Sequence, residues 1–361
     1  MKQVIRTDEL MVPIAHFSHA LRVGDEIHLG ATAGTDRTRR LAGSPPGLTD
    51  ARAQAEQMYR NMQFVLRALG GQLQDVVRLK VYLTDWRDQE RCEAVYGEQF
   101  TGRKPCVSSV GTWGFPLPFA VVEAELTAVV GGASALQYAS VSGRDARSAL
   151  EELASTLAAA DLAMRDVVSV NVTLVDLRDY AALDEAFATV FRKPYPARTV
   201  SIAPLSGHGM RVGLESTARR GGGEPIEPAG LFRLPGAASP AMRAGAHLFL
   251  SAQPGVDAQG RMAGGIGAQT QAAWRRVNAL LEQAGVDASH VIRTNNWLTD
   301  WRDYQPFNAA YGEFVARPYP PRATVVAGLT EPHSLVQIEA CAHRDAAAAI
   351  VLTSSKEEIN P

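Results

Sequence analysis

DVVRLKVYLTDWRD (residues 75–88), DVVSVNVTLVDLRD (166–179) and HVIRTNNWLTDWRD (290–303) are three copies of one stretch, and their recurrence decides the fold. Each is followed by a short amphipathic segment and a proline-led run: YGEQFTGRKPCVSSV to Val110, FATVFRKPYPARTVSI to Ile202, and YGEFVARPYPPRATVV to Val326. Asp85 to Val107, Asp176 to Arg198 and Asp300 to Arg322 each span 22 residues, so the copies align without a gap through this core. Self-similarity at this scale marks a unit that is repeated as a whole and buries its apolar faces against its neighbours. Asp85 and Asp176 lie 91 residues apart, Asp176 and Asp300 124. The middle copy is therefore short at its front end, and RRGGGEPIEPAG (219–230) reads as the linker that follows it.

The flanking sequence gives each copy the same order of elements. EIHLGATAG and AHLFLSAQPG read as strands ending in turns. In ARAQAEQMYRNMQFVLRALGG, Ala55, Met58, Met62, Val65 and Leu66 recur at helical spacing and the glycine pair supplies a left-handed stop. DARSALEELASTLAAADL (145–162) and AQTQAAWRRVNALLEQAG (268–285) are the matching helices. Val77, Leu79, Val81 and Leu83 then alternate with Arg78, Lys80 and Tyr82, as in a strand. A second helix runs through RDQERCEAVYGEQF, and two strands close the unit around a Gly/Pro loop. The order predicts an α+β module, a mixed sheet with two helices on one face. Packing three sheets about one axis would cover their other faces, and tandem fusion would make an oligomer interface intrachain.

Composition narrows the function. The chain has 361 residues, 46% hydrophobic and 20% charged, with a net charge of −2. No basic stripe suits a phosphate backbone, so nucleic acid is not expected as a partner. No run of eighteen apolar residues and no signal-peptide pattern is present, so no membrane is expected and a cytoplasmic location is. Cys92, Cys106 and Cys341 form no CxxC, and the eight histidines include no HxH or HExxH. Neither a disulfide framework nor a metal site is expected, and no cofactor. His208 and His333 sit in loops between closing strands, and Trp86 and Trp301 read as packing at repeat seams.

The D-V-V-x-x-x-V-x-L-T-D strand, the Y-x-x-x-F helix segment, the P-x-R-[ST]-x-V strand and the closing [VI]-E-x-E strand together resemble the RidA (YjgF) enamine/imine deaminase family, over nearly the whole chain. The resemblance implies chorismate-mutase-like modules in a pseudo-trimeric ring. They would span 1–131, a shortened 132–220 and 232–345, with a linker at 221–231 and a tail at 346–361. It implies clefts between neighbouring modules, a small-molecule carboxylate as partner, and a monomer or a dimer of such rings.

Carried onto this chain, the family's carboxylate-binding arginine falls on Arg198 and Arg322, with Val107 in the first copy. A planar, permanently charged guanidinium suits a carboxylate on independent grounds, although an arginine beside a proline equally fits an ordinary surface position. The family's water-positioning glutamate falls on Glu123, with Gly213 and Gln337 in the other copies, so no single copy holds both arginine and glutamate. On an otherwise apolar strand, Glu123 should be edge-exposed or paired. The family serine falls on Ser251, with Gly30 in copy one; the asparagine on Asn308, with Glu93 and Asp184 elsewhere; the tyrosine on Phe17 and Ala238. Glu123, Gln337 and Ser251 are the catalytic candidates, and Arg322, Arg198 and Asn308 the substrate-binding ones. The resemblance implies hydrolysis of a carboxylate-bearing imine or enamine to a 2-oxo acid and ammonia. A biosynthetic lyase, tautomerase or cyclase acting on an unsaturated dicarboxylate in the same clefts is the alternative, and a non-catalytic metabolite-binding protein the second.

Overall fold

The computed structural model describes residues 1–46, 49–132 and 134–354. Repeat 1 runs β1 (Lys2–Thr7), β2 (Ala20–Val23), β3 (Glu26–Ala33), α1 (Ala51–Ala68), β4 (Val76–Leu83), α2 (Gln89–Gln99), β5 (Cys106–Gly111) and β6 (Val122–Val129). Repeat 2 runs β7 (Gln137–Gly143), α3 (Ala146–Ala158), β8 (Val167–Leu174), α4 (Tyr180–Val190), β9 (Ala197–Ile202) and β10 (Val212–Ala218). Repeat 3 runs β11 (Glu224–Ile226), β12 (Ala241–Ala244), β13 (His247–Leu250), β14 (Gln253–Pro254), α5 (Gly265–Gln283), β15 (Val291–Leu298), α6 (Tyr304–Gly312), β16 (Arg322–Val326), β17 (Val336–His343) and β18 (Ala349–Ser354).

Each repeat makes one mixed sheet. The orders are β18-β1-β2-β3-β6-β4-β5, β7-β10-β8-β9 and β11-β12-β13-β17-β15-β16, with β14 beside β17. The parallel pair β4–β5 recurs as β8–β9 and β15–β16, in the same register: Leu79 faces Val107, Val170 faces Arg198 and Thr294 faces Arg322. The repeated aspartate explains why the strand ends where it does. Asp85, Asp176 and Asp300 each accept the backbone N–H two residues on and pair with that residue's guanidinium, capping a short turn into the second helix. Repeat 2 enters its sheet directly at β7 and lacks the front hairpin of the others. Within the stretch that reads as a C-terminal tail, β18 pairs in parallel with β1, tying the end of repeat 3 to the start of repeat 1; residues 355–361 of that stretch lie outside the described residues. Part of the linker is likewise ordered, as β11 against β12.

The helices of each repeat cover one face of its own sheet, giving three separate cores around Met62 and Leu79, Leu153 and Val172, and Trp274 and Ile338. The other faces meet one another. Arg78, Lys80 and Tyr82, the polar side of the alternation on β4, are all under 5% exposed. They face the neighbouring repeats, and water is excluded from both sides of the sheet.

Charges buried there are paired, as burial requires. Three glutamates at equivalent positions, Glu125, Glu215 and Glu339, each accept a hydrogen bond from another repeat. The donors are Asn295 Nδ2 at 2.8 Å, Ser108 Oγ at 2.8 Å and Thr199 Oγ1 at 2.7 Å. Arg78 pairs with both Glu125 and Glu215, holding their carboxyls below the usual range against the cost of burial. The ends of β5, β9 and β16 also exchange backbone bonds: Gly111 N to Pro204 O, Ile202 N to Gly328 O, and Trp113 N to Val326 O. Every repeat therefore touches both others.

Candidate active site

Arg322 begins β16, and its side chain lies in a slot made by one face of α6. Tyr304, Phe307, Asn308 and Tyr311 fall at i, i+3, i+4 and i+7, so all four project to the same side. The guanidinium carbon sits 4.7 Å from the Tyr311 ring centre and 5.7 Å from Phe307. Cation–π contact there offsets part of the cost of burying the charge. Nη2 donates to Asn308 Oδ1 at 2.9 Å and to Tyr304 Oη at 3.1 Å. Nη1 is buried and has no partner among the described residues. A buried donor without a partner is costly, and a carboxylate presented here would satisfy it.

The opposite wall comes from repeat 1. The ring of Phe17 stands 5.7 Å from the Arg322 guanidinium. Gly30 lies so close to β16 that an added Cβ would meet Arg322 N and O at 2.7 Å. Together Phe17, Glu123, Tyr304, Arg322 and Thr324 line a pocket of about 70 Å³, roofed by Met11, Ile14 and Leu117. Glu123 is not edge-exposed, since β6 lies between β3 and β4, and it has no partner among the described residues; burial pushes its carboxyl up to about 8. The arginine and the glutamate that no single copy holds together are thus joined in the cleft between repeats 3 and 1.

The cleft between repeats 2 and 3 holds the rest of the candidates. Arg198 lies 4.9 Å from the Phe187 ring centre, and its Nη2 donates to Asp184 Oδ1 at 2.6 Å. Asp184 occupies the place of Asn308, so here the guanidinium is neutralised by its own helix. Ser251 Oγ accepts the Arg198 backbone N–H at 2.8 Å and donates to Ser239 O at 2.7 Å. Gln337 donates its amide to Val200 O at 2.9 Å. Ser251 and Gln337 therefore stand opposite Arg198, apart from Asn308 and Arg322. Ala238 lines this pocket of about 60 Å³, as does Arg276, which the sequence reading missed. Arg276 occupies the position of Asn61 on the first helix. Burial lowers its pKa to about 10, Gln253 and Phe232 O hold two of its nitrogens, and Nη1 is unpartnered among the described residues. An arginine flanked by Trp274 and Val277 on a core-facing helix was the available signal.

The third cleft, between repeats 1 and 2, has Val107 and Gly213 at the two key positions and widens to about 870 Å³. Trp301 packs against Gly114 of repeat 1, at a seam; Trp86 packs on the core of its own repeat. The His333 carbonyl is held by Gln269, and His208 is exposed. Among the described residues, no helix is long and apolar enough to cross a membrane and no group of three His, Cys, Asp or Glu is placed to hold a metal.

Comparison with known proteins gives the same division of the chain. Residues 7–130, 135–220 and 235–344 each match the Endoribonuclease L-PSP family. A 2-iminobutanoate/2-iminopropanoate deaminase of Dermatophagoides farinae is 30% identical over 116 residues, 32% of this chain and 87% of the mite protein. A RutC family protein of Pyrococcus horikoshii is 31% identical over 106 residues, 29% of this chain and 80% of that protein. Among solved structures, a chorismatase is similar over 74% of this chain and 93% of its own, with a TM-score of 0.56 and 14% identity, a likeness of fold alone. The family model matches three successive segments that together make up most of the sequence: the chain belongs to the Endoribonuclease L-PSP (RidA/YjgF) family and carries its module three times.

Proposed function

We propose that this protein is a pseudo-trimeric ring in a single chain that hydrolyses a carboxylate-bearing imine or enamine in the cleft between repeats 3 and 1. The observation that carries this reading is that Arg322 and Glu123, from well-separated parts of the sequence, line one small pocket. Arg322, with its unpartnered Nη1, anchors the substrate carboxylate, and Asn308 and Tyr304 fix the guanidinium. Glu123 takes a proton from water as the oxygen adds to the C=N carbon. Return of that proton to the imine nitrogen gives the tetrahedral carbinolamine, which then collapses: the hydroxyl proton passes to the amino group, the C–N bond breaks as the C=O bond forms, and ammonia and a 2-oxo acid leave. A carboxyl with a pKa near 8 is matched to proton transfer close to neutral pH. The deaminase similar to one repeat-sized stretch of this chain supports the same chemistry.

A dicarboxylate lyase, tautomerase or cyclase reading is favoured by one feature, the cleft between repeats 2 and 3, which Arg198, Arg233 and Arg276 all line, with Asp184 paired to the first, Glu227 to the second and Glu331 on the same wall.

The test is ammonia release from freshly generated 2-aminoacrylate and bulkier imino acids. With a buried charge-assisted contact worth about 3 kcal/mol, Arg322→Ala should lower kcat/KM on the order of a hundredfold, and Arg198→Ala should leave it within a few-fold. No turnover above buffer in the wild type, or equal losses in both variants, would overturn the assignment.

A further inference from the structure

The first repeat has lost more than its arginine. Relative to repeat 3, Val107 stands for Arg322, Cys92 for Phe307 and Gln89 for Tyr304, three reductions in size on the walls of one slot. Where repeat 3 fills that slot with a guanidinium over Tyr311, repeat 1 leaves a cavity of about 360 Å³. Met58, Tyr59, Val81, Leu83, Cys92 and Tyr96 line it. Burial pushes the Cys92 thiol up to about 12, so the inner wall is uncharged as well as apolar, and the two charged residues that line the cavity, Glu93 and Lys104, are exposed and of opposite sign.

The cavity opens outward through Gln89, Glu93, Val107 and Ser109, which it shares with the wide cleft between repeats 1 and 2. That cleft is open because repeat 2 lacks the front hairpin that narrows the other two. Its inner surface is polar yet carries no spare cation at its base. Lys80 is buried and already paired with Glu215 at 3.3 Å, Ser108 is spent on the same carboxylate, and Asn171 presents a buried amide oxygen without a partner among the described residues. Ser109, Ser140, Ser142 and Thr173 add hydroxyls. Further out stand Arg144, Asp145 and Glu152, whose charges sum to one negative.

An apolar chamber in series with a hydroxyl- and amide-lined vestibule selects a molecule with the same two halves. We propose that the cleft between repeats 1 and 2 is a second binding site, for an uncharged amphiphilic small molecule whose aromatic or branched apolar body enters the slot vacated by arginine and whose hydrogen-bonding head rests in the outer cleft. It is separate from the pocket holding Arg322 and Glu123 and does not rest on the activity assigned to that pocket.

The probe is N-phenyl-1-naphthylamine, neutral and fluorescent in apolar surroundings, titrated into the whole chain. Saturable enhancement at one site per chain is expected. Val107→Arg should abolish it, because the restored guanidinium would lie over Tyr96 as Arg322 lies over Tyr311, while ammonia release stays at the wild-type level. Cys92→Phe, which refills the slot without charge and with the residue repeat 3 already accommodates, should weaken probe binding at least tenfold and guards against misfolding of the arginine variant. Octyl β-glucoside below its micellar concentration should displace the probe at a concentration at least tenfold lower than octanoate does. No saturable binding by the wild type, binding untouched by both substitutions, or preferential displacement by octanoate would each overturn the proposal.

Discussion

The 3/1 and 2/3 clefts are assembled from the same elements in the same register, and in both one guanidinium nitrogen is buried without a partner among the described residues, yet one guanidinium has a neutral partner on its helix and the other a carboxylate. Arg322 and Arg198 stand at matching places near the start of equivalent strands, and both lie over an aromatic ring of the preceding helix. The difference is one atom's charge at one position: Asn308 accepts from Arg322 as a neutral amide, and Asp184 accepts from Arg198 as a carboxylate. Across the cleft the contrast repeats, with ionisable Glu123 facing Arg322 and a seam-bonded Gln337 facing Arg198. Fused copies can diverge singly, as identical subunits cannot, so one chain can hold three unlike clefts: one with the proposed anion anchor, one with its arginine neutralised and one emptied.

Removing the ionisable group from the 3/1 cleft is the most severe way to erase this contrast. Glu123→Gln makes the pocket resemble its neighbour, and loss of a positioned general base costs about 10²- to 10⁴-fold in rate. Because the carboxyl titrates at about 8, wild-type kcat/KM should climb with pH up to that point and level above it. The variant's residual rate should lack the limb. A residual rate that keeps the wild-type pH profile would place the base elsewhere.

A milder exchange swaps the partners of the two arginines. Asn308→Asp should quench Arg322 and raise KM for a small imino acid roughly tenfold with little change in kcat, the pattern of lost ground-state binding. Asp184→Asn keeps an oxygen acceptor for both Arg198 and the Ala237 N–H that also binds there, and it removes the competing charge. Calorimetric titration with 2-oxobutanoate should then pass from one site per chain to two. If stoichiometry stays at one, aspartate is not what silences the 2/3 cleft.

The triple repeat, the element order and the helix bounds were legible because each rests on local pattern: the 22-residue spacing, the apolar stripe of α1, the aspartate that caps each turn. The pairing of clefts was not. Reading copy by copy sets Glu123 against Val107 and Gln337 against Arg322, whereas the fold sets Glu123 against Arg322 and Gln337 against Arg198. Strand alternation in β4 marked Arg78 and Lys80 as one face but could not say that the face meets another repeat and its glutamates. The vacancy beside Val107 was half legible: the missing arginine is plain in the sequence, and the apolar chamber it leaves depends on Cys92 and Gln89 falling on the same wall.

The smallest expected effect concerns stability, and it separates the two clefts without any substrate. Glu123 has an unfolded-state pKa near 4.5 and a folded one of about 8, so the folded chain binds the extra proton between those values. The stability this contributes is complete below about pH 4.5, declines as pH rises, and is gone above about 8. Gln337, at the equivalent position, contributes no such dependence. Glu123→Gln should therefore gain on the wild type as pH rises: close to equal melting temperature at pH 5, and higher by roughly 5 °C at pH 9, because a shift from 4.5 to about 8 costs about 4 kcal/mol more at pH 9 than at pH 5. Subtracting one protein from the other cancels every other titrating group they share. Equal melting temperatures at both pH values would mean that the carboxyl finds a proton donor or a cation within the folded cleft, and the general-base role would then lose its physical footing along with the stability difference.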